Sequence, residues 1–376
     1  MSARQSVKTY FSGTHRVRPP AETWTLVSPL AQDFGVTRLA DITGLDILRI
    51  PVWMAVRPLG QTVSVSQGKG ATNVHAMVSA VMEAIELWHA ECVPLPIACR
   101  SAPAADLDLP YAVRWICQWP GSLLTDQTRL DWTMGRGLIG GAGIPVPADA
   151  VSLASDVDRG WRPRGILRSS NGLASGNSLA EAALHALYEV IERDALAGAP
   201  VRSPGIPIDP ESVTDEGCAD LVDRIGHAGA HLEARLVPSR FGVPCFSCRV
   251  WSADFPVFAE GSGAHSSAAV ALSRAITEAA QSRAGAIAGS RDDLAPVHHV
   301  MRAGVVAEPP QPTGQVCWSD LELPAAPEFD VIDDELAWLS RAVAARTSVE
   351  PILVNLSTRA EFAVARVVAP GLRFGD

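Results

Sequence analysis

The chain has 376 residues, 47% of them hydrophobic, with a net charge of −10 and a pI near 5.4. That is enough apolar material for one large core or two small ones, and the acidic balance argues against a nucleic-acid surface, which normally shows as a basic patch. No apolar run of about 18 residues occurs and residues 1–8 lack an apolar signal segment, so a cytoplasmic protein without membrane attachment is expected.

Lys8, His15, Arg16 and Arg18 make the N-terminus basic within an acidic whole. A short amphipathic helix is expected over 21–34, limited by Pro29. Strands are expected over 51–57 and 62–66, the second running into Gly68-Lys69-Gly70 and then a helix over 71–91. Strand, glycine loop and helix in that order can cradle phosphate on helix-initial N–H groups. Residues 92–143 carry Pro94, Pro96, Pro103 and Pro110 with Trp115, Trp119 and Trp132 but no helical stripe, and read as a connecting segment ending in a glycine-rich turn at 135–143. A strand over 146–153 follows.

Residues 170–194 repeat the layout and organise the rest. After Gly176, Ser178 and Glu181 form a capping box, so a helix starts near Leu179. At about 100° per residue, Glu181, His185, Glu189 and Glu192 share one arc, with Leu184, Leu187 and Ile191 opposite. Like charges three and four positions apart repel, so the stripe demands a countercharge, and a divalent cation is the simplest. Glu83 and Glu86 lie 13 and 16 residues after Gly70, as Glu189 and Glu192 lie 13 and 16 after Gly176. Ser79, Glu83, Glu86 and His185, Glu189, Glu192 are thus two copies of one stripe. A third copy, Arg274, Glu278, Gln281, follows Gly261-Ser262-Gly263 with an offset two residues longer, and Arg283 lies just beyond it. Helix N-termini suit phosphate and glutamate clusters suit Mg²⁺, so a nucleoside triphosphate with its metals would satisfy both.

Strands are expected over 232–238, 243–251 and 256–259, ahead of the third helix. The lone Cys245-x-x-Cys248 sits in a strand-like run without the second pair a zinc site needs, and seven scattered cysteines suit reduced thiols. Arg291-Asp292-Asp293 reads as a turn or as a substrate or nucleotide contact, and 309–327 as a proline-rich surface excursion. A helix over 333–346 and strands over 351–355 and 363–368 close the chain. Strands followed by long helices indicate an α/β or α+β layered architecture, with repeated strand–glycine loop–helix units around a mixed sheet.

These motifs, taken in order, resemble the YcaO family: Gly68-Lys69-Gly70 with Ser79, Glu83 and Glu86; Asn171 to Asn177 with Glu189, Glu192, Arg193 and Asp194; Arg274, Glu278, Gln281 and Arg283. Residues 37–46 and Pro370-Gly371-Leu372 also look familial. The resemblance covers nearly the whole chain, a single large domain in which 1–67 form an N-terminal entry layer and 68–376 the catalytic part. It implies binding of ATP and Mg²⁺ without a P-loop, and activation of backbone amides in a precursor peptide or protein made on the ribosome. It makes Glu83, Glu86, Glu181, Glu189 and Glu192 the expected metal ligands. Lys8, Arg16, Lys69, Ser79, Asn177, Arg193, Glu278, Gln281 and Arg283 are the expected nucleotide contacts, and Glu189, Glu192, Arg193 and Arg283 the catalytic groups. Leu87 departs from the pattern, since many members carry an arginine there.

An amide oxygen is a poor leaving group. If a nucleophile attacks the amide carbon and the resulting oxyanion takes the γ-phosphoryl of ATP, loss of phosphate leaves C=S or C=N. No Ser-His-Asp or Cys-His spacing is readable, in keeping with an external or substrate-borne nucleophile. The sequence ends without the proline-repeat tail of azoline-forming relatives, so the resemblance favours a stand-alone type making thioamides with a TfuA-like partner. Azoline or amidine formation stays open, as do a non-catalytic accessory factor for protein methylthiolation, an ATP-independent carboxylate–metal hydrolase, and assembly as a homodimer.

Overall fold

The computed structural model describes residues 6–116, 118–154, 165–199, 205–290, 308–310 and 313–374. Among the described residues, the strands form four antiparallel sheets. Strands β1 (Thr9–Phe11) and β2 (Thr14–Arg16) make an isolated hairpin. Strands β3 (Arg38–Asp41), β4 (Val52–Val56) and β5 (Val65–Lys69) form the second sheet in that order. The third runs β6 (Ile97–Pro103), β7 (Arg129–Gly137), β14 (Ile352–Asn355), β15 (Ala363–Val368), β9 (Leu173–Gly176), with β8 (Gly143–Pro147) on β7. The fourth is β10 (Ile206–Ile208), β11 (His231–Val237), β12 (Cys245–Ser252), β13 (Phe255–Ala264). The layered α/β class is as expected, but the single mixed sheet is not formed. Every pairing between these strands is antiparallel, made by hairpins or by long excursions, so no helical crossover of a parallel pair is needed.

Each of the last three sheets ends in an edge strand that feeds a long helix: β5 into α2 (Asn73–Cys92), β9 into α3 (Leu179–Gly198) and β13 into α5 (Ala268–Ala288). The helix starts are capped alike, the side chains of Thr72, Ser178 and Ser267 accepting from the N–H groups of His75, Glu181 and Val270. Helices α1 (Pro20–Val27), α4 (Glu216–His227) and α6 (Ile332–Thr347) pack outside, α6 against α3. Pro29 restricts α1 as expected, and a 3₁₀ stretch continues from Ser28 to Phe34. None of the described helices is long and apolar enough to cross a membrane.

The glycines serve a different purpose from the one expected. Gly68 and Lys69 belong to β5, and Gly261-Ser262-Gly263 lies inside β13. A Cβ on Gly68 would stand 2.2 Å from the Ala76 carbonyl oxygen and 2.0 Å from the Ala80 nitrogen, and one on Gly263 would stand 2.2 Å from the Ala271 carbonyl oxygen. In the first and third units the glycines let a strand lie directly on a helix backbone, over the fully buried alanines Ala76 and Ala80, Ala271 and Ala275; in the second, Ala174 stands at that position and Gly176 meets the Ala182 nitrogen. This contact also removes the offset of the third unit. Gly263 takes the place of Gly68, so His265 takes that of Gly70 and Gly176, and the stripe then falls at the same positions in all three. Gly68→Ala is expected to cost about 3 kcal/mol or more in urea unfolding, since neither backbone nor alanine can give way. A loss under about 1 kcal/mol would show that the contact is slack.

The units meet in a ring. Helix α2 lies against β9, α3 against β13 and α5 against β5. The three polar stripes consequently face one another.

Candidate active site cleft

Between the three helices lies a cleft of about 590 Å³. Ser79, Glu83 and Glu86 line it from α2, His185, Glu189 and Glu192 from α3, and Arg274, Glu278 and Gln281 from α5. The sequence spacing therefore converges in space as well as in number. The β1–β2 hairpin adds a further wall, its tip Ser12-Gly13-Thr14 and Arg16 facing the same space with Asn177, and Thr62, Leu153, Arg168 and Phe362 also line it.

Carboxylates stitch one unit to the next. Glu86 accepts from the Ser175 N–H at 2.7 Å and from the Ser175 hydroxyl, at the end of β9. Glu192 accepts from the Ala264 N–H at 3.2 Å and from the Ser262 hydroxyl at 2.5 Å, at the end of β13. Lys69, at the end of β5, reaches back to pair with Glu278 of α5. Across α3 and α5, Arg274 donates to His185 Nε2 at 2.7 Å. Burial, with Arg274, Arg16 and Lys69 nearby, holds the His185 pKa well below its usual value, so the ring is neutral and can accept.

Glu181, on the cleft wall, also has several partners in the protein. Its oxygens accept from Asn177 N–H at 3.1 Å, the Asn177 amide at 3.0 Å and Val17 N–H at 2.8 Å, with Arg16 3.6 Å away. It ties the hairpin to the start of α3, and Asn177 is held in turn by Thr23 at 2.7 Å.

The stripe is under electrostatic load. Burial, then repulsion from Glu83 and Glu189, pushes the Glu86 carboxyl up to about 8 despite the Ser175 bonds. Glu189 rises to about 7 through burial and the charges of Glu192 and Glu278, against Arg193 and Arg366. Glu192 is raised too, by burial and Glu278. Six glutamates (83, 86, 181, 189, 192, 278) share the wall with Arg16, Arg18, Lys69, Arg168, Arg193 and Arg274. Among the described residues no three acidic, histidine or cysteine side chains form a ready cage for a bare ion. That donor set fits Mg²⁺ arriving with phosphates, because Mg²⁺ uses one or two carboxylates, keeps waters and shares phosphate oxygens. Alternating arginines and carboxylates suit a polyanion and its cation together.

Two expected contacts lie elsewhere. Arg283 follows Gln281 by two positions, roughly 200° around the helix, and turns away from the cleft. It is fully buried, with Nε 2.8 Å from Asp46 and a terminal nitrogen 3.2 Å from Asp254. It clamps Asp46 and Asp254 and takes no part in the cleft wall. Lys8 is likewise off the cleft wall, its Nζ 2.8 Å from Glu335. Arg291, Asp292 and Asp293 fall outside the described residues. Ser175, Ser262, Arg168 and the hairpin tip join or support the site without any spacing signal in the sequence, because long-range packing brings them there.

A family model described as YcaO cyclodehydratase, ATP- and Mg²⁺-binding, matches residues 67–373. The uncharacterized protein MT1419 of Mycobacterium tuberculosis is 38% identical over 363 residues, 96% of this chain and 83% of its own length. An uncharacterized protein in the tfuA 3′ region of Rhizobium leguminosarum bv. trifolii is 40% identical over 300 residues, 75% of this chain and 69% of its own. The structure of YcaO from Methanopyrus kandleri bound with AMPPCP and Mg²⁺ shares the fold at a TM-score of 0.76 and 24% identity, over 99% of this chain and 98% of that one. A heterocyclase in complex with substrate and cofactor does so at 0.78 and 19%, over 100% of this chain and 54% of that one. The glutamate stripes and the strand-on-helix glycines all lie within the matched residues, and the chain belongs to the YcaO family.

Proposed function

We propose that the protein uses ATP and Mg²⁺ to activate backbone amide oxygens of a peptide or protein made on the ribosome, and that it makes thioamides together with a TfuA-like partner. The observation that carries amide activation is the cleft itself, where half-buried glutamates with raised pKa values face arginines and a lysine from three directions. Glu83, Glu86, Glu189 and Glu192 would hold Mg²⁺, while Arg16, Lys69 and Arg274 would meet phosphate oxygens. Bound ATP supplies the phosphoryl group that turns an amide oxygen into a leaving group. Arg193 lies among Glu189, Glu192 and Glu278, whose charges keep it firmly protonated, and would steady negative charge as it develops. Thioamide formation is favoured by the Rhizobium relative named for its place in the tfuA 3′ region. The family model's own description as a cyclodehydratase favours azoline formation as the second reading.

Mass spectrometry of a candidate peptide co-expressed with this protein and its genomic neighbours separates the two. A gain of about 16 Da per site is expected for replacement of oxygen by sulfur, and a loss of about 18 Da for cyclodehydration. Loss of water without partner or sulfide would overturn the first reading. Phosphate release with no change of peptide mass would count against both.

A further inference from the structure

We infer that Glu335, outside the cleft, is a positioning residue for nucleotide binding: it holds the N-terminal hairpin, and Arg16 with it, against the open side of the site. The inference rests on the proposed role of Arg16 at the phosphates. Strands β1 and β2 pair only with each other, and a lone two-stranded hairpin is marginal in water, so its position depends on what docks it. The segment entering it runs beside the start of α6, with Lys8 N–H donating to the Asp330 carbonyl at 2.7 Å and Ile332 N–H to the Ser6 carbonyl at 2.9 Å.

Beside Glu181, which holds its far end through Val17, a second side-chain anchor is Glu335. This carboxylate is fully buried, with Oε2 2.8 Å from Lys8 Nζ. Oε1 accepts from Tyr188 Oη of α3 at 2.6 Å and from the Ser266 hydroxyl just before α5. One group thus ties the hairpin to two walls of the ring. Tyr188 stacks on His265 with centroids 4.8 Å apart, and His265 on His15 of the hairpin at 5.2 Å. His15 immediately precedes Arg16. Lys8 therefore acts through Glu335 and makes no contact with nucleotide.

Removing one partner of a buried ion pair leaves an uncompensated charge, whereas removing both is often tolerated. That difference makes the inference testable in the full-length protein, using Lys8→Met, Glu335→Gln and the double variant. Hydrogen exchange in residues 9–16 reads the docking, and calorimetric titration with Mg·ATP reads the site. Each single variant is expected to raise exchange in 9–16 about tenfold and weaken Mg·ATP binding about tenfold, with exchange in α2 unchanged. The double variant is expected to return affinity to within about threefold of the parent. A double variant as weak as Lys8→Met would place Lys8 on the nucleotide and overturn the inference, as would single variants with unaltered exchange. Faster exchange with unaltered affinity would remove Arg16 from the phosphates and overturn it too. A parent protein that fails to bind Mg·ATP would sink the proposed function itself, whatever the exchange data show about docking.

Discussion

Replacing Glu83, Glu86, Glu189 or Glu192 by glutamine is expected to lower ATP-dependent turnover about a thousandfold, while the apo protein holds or gains stability. The two halves of that result have one cause. Burial and neighbouring carboxylates disfavour the charged form and push Glu86 up to about 8 and Glu189 to about 7, well above an ordinary glutamate. The folded protein therefore keeps protons that the unfolded chain has already released, and its stability falls as pH rises from about 4.5 to about 8. A neutral amide at position 86 or 189 escapes this loss. The gain should be on the order of 1–2 kcal/mol above pH 8, after discounting for partial exposure, and should vanish near pH 5. For Glu192 it should be smaller, since an amide cannot accept from both Ser262 and Ala264. Thermal melts across pH and phosphate-release assays check both halves. A loss of several kcal/mol in the apo variants would mean that these glutamates are structural partners of arginines.

Mg·ATP binding is expected to release protons at pH 7 and to tighten as pH rises from 6 to 8, by up to about tenfold for each proton released. Cation and phosphates together favour the ionised carboxylates, so protons held by Glu86 and Glu189 must leave on binding. Above about pH 8.5 the release should fade, because the apo protein has by then lost those protons. Titration calorimetry in buffers of different ionisation enthalpy counts the protons directly. Heats at pH 7 that do not depend on buffer would show that the carboxylates are already ionised, and the electrostatic account of the cleft would fall.

The stripe was legible because a helix converts spacing into direction. Once Ser178 sets the start of α3, Glu189 and Glu192 can face only one way, and the matching count from Gly70 carries the same information to Glu83 and Glu86. Glycine was harder to read, since the same residue serves a phosphate loop and a strand pressed on a helix. Only the alanines at Ala76, Ala80, Ala271 and Ala275 tell the two apart, and they are common helix formers in any case. His265, buried between two aromatic rings where the other units have glycine, hid the register of the third unit. The place of Arg283 off the cleft was half legible: its helical angle turns it from the stripe, but nothing local announced Asp46, more than 200 residues away, as its partner. The hairpin wall was invisible for the same reason, being held by Glu181 and Glu335 from distant helices.

The ring has a consequence for how the molecule is assembled. Each strand-to-helix contact, β5 on α2, β9 on α3 and β13 on α5, joins neighbours in sequence and closes only a short loop. The contact of α5 with β5 joins residues 268–288 to residues 65–69, about 200 positions apart, and loop-closure entropy sets such a contact behind local ones. It is expected to form after the local contacts and to be the seam at which sub-global opening begins. Lys69 and Glu278 face each other across that seam, so two groups that would meet the nucleotide also mark whether the chain has finished closing.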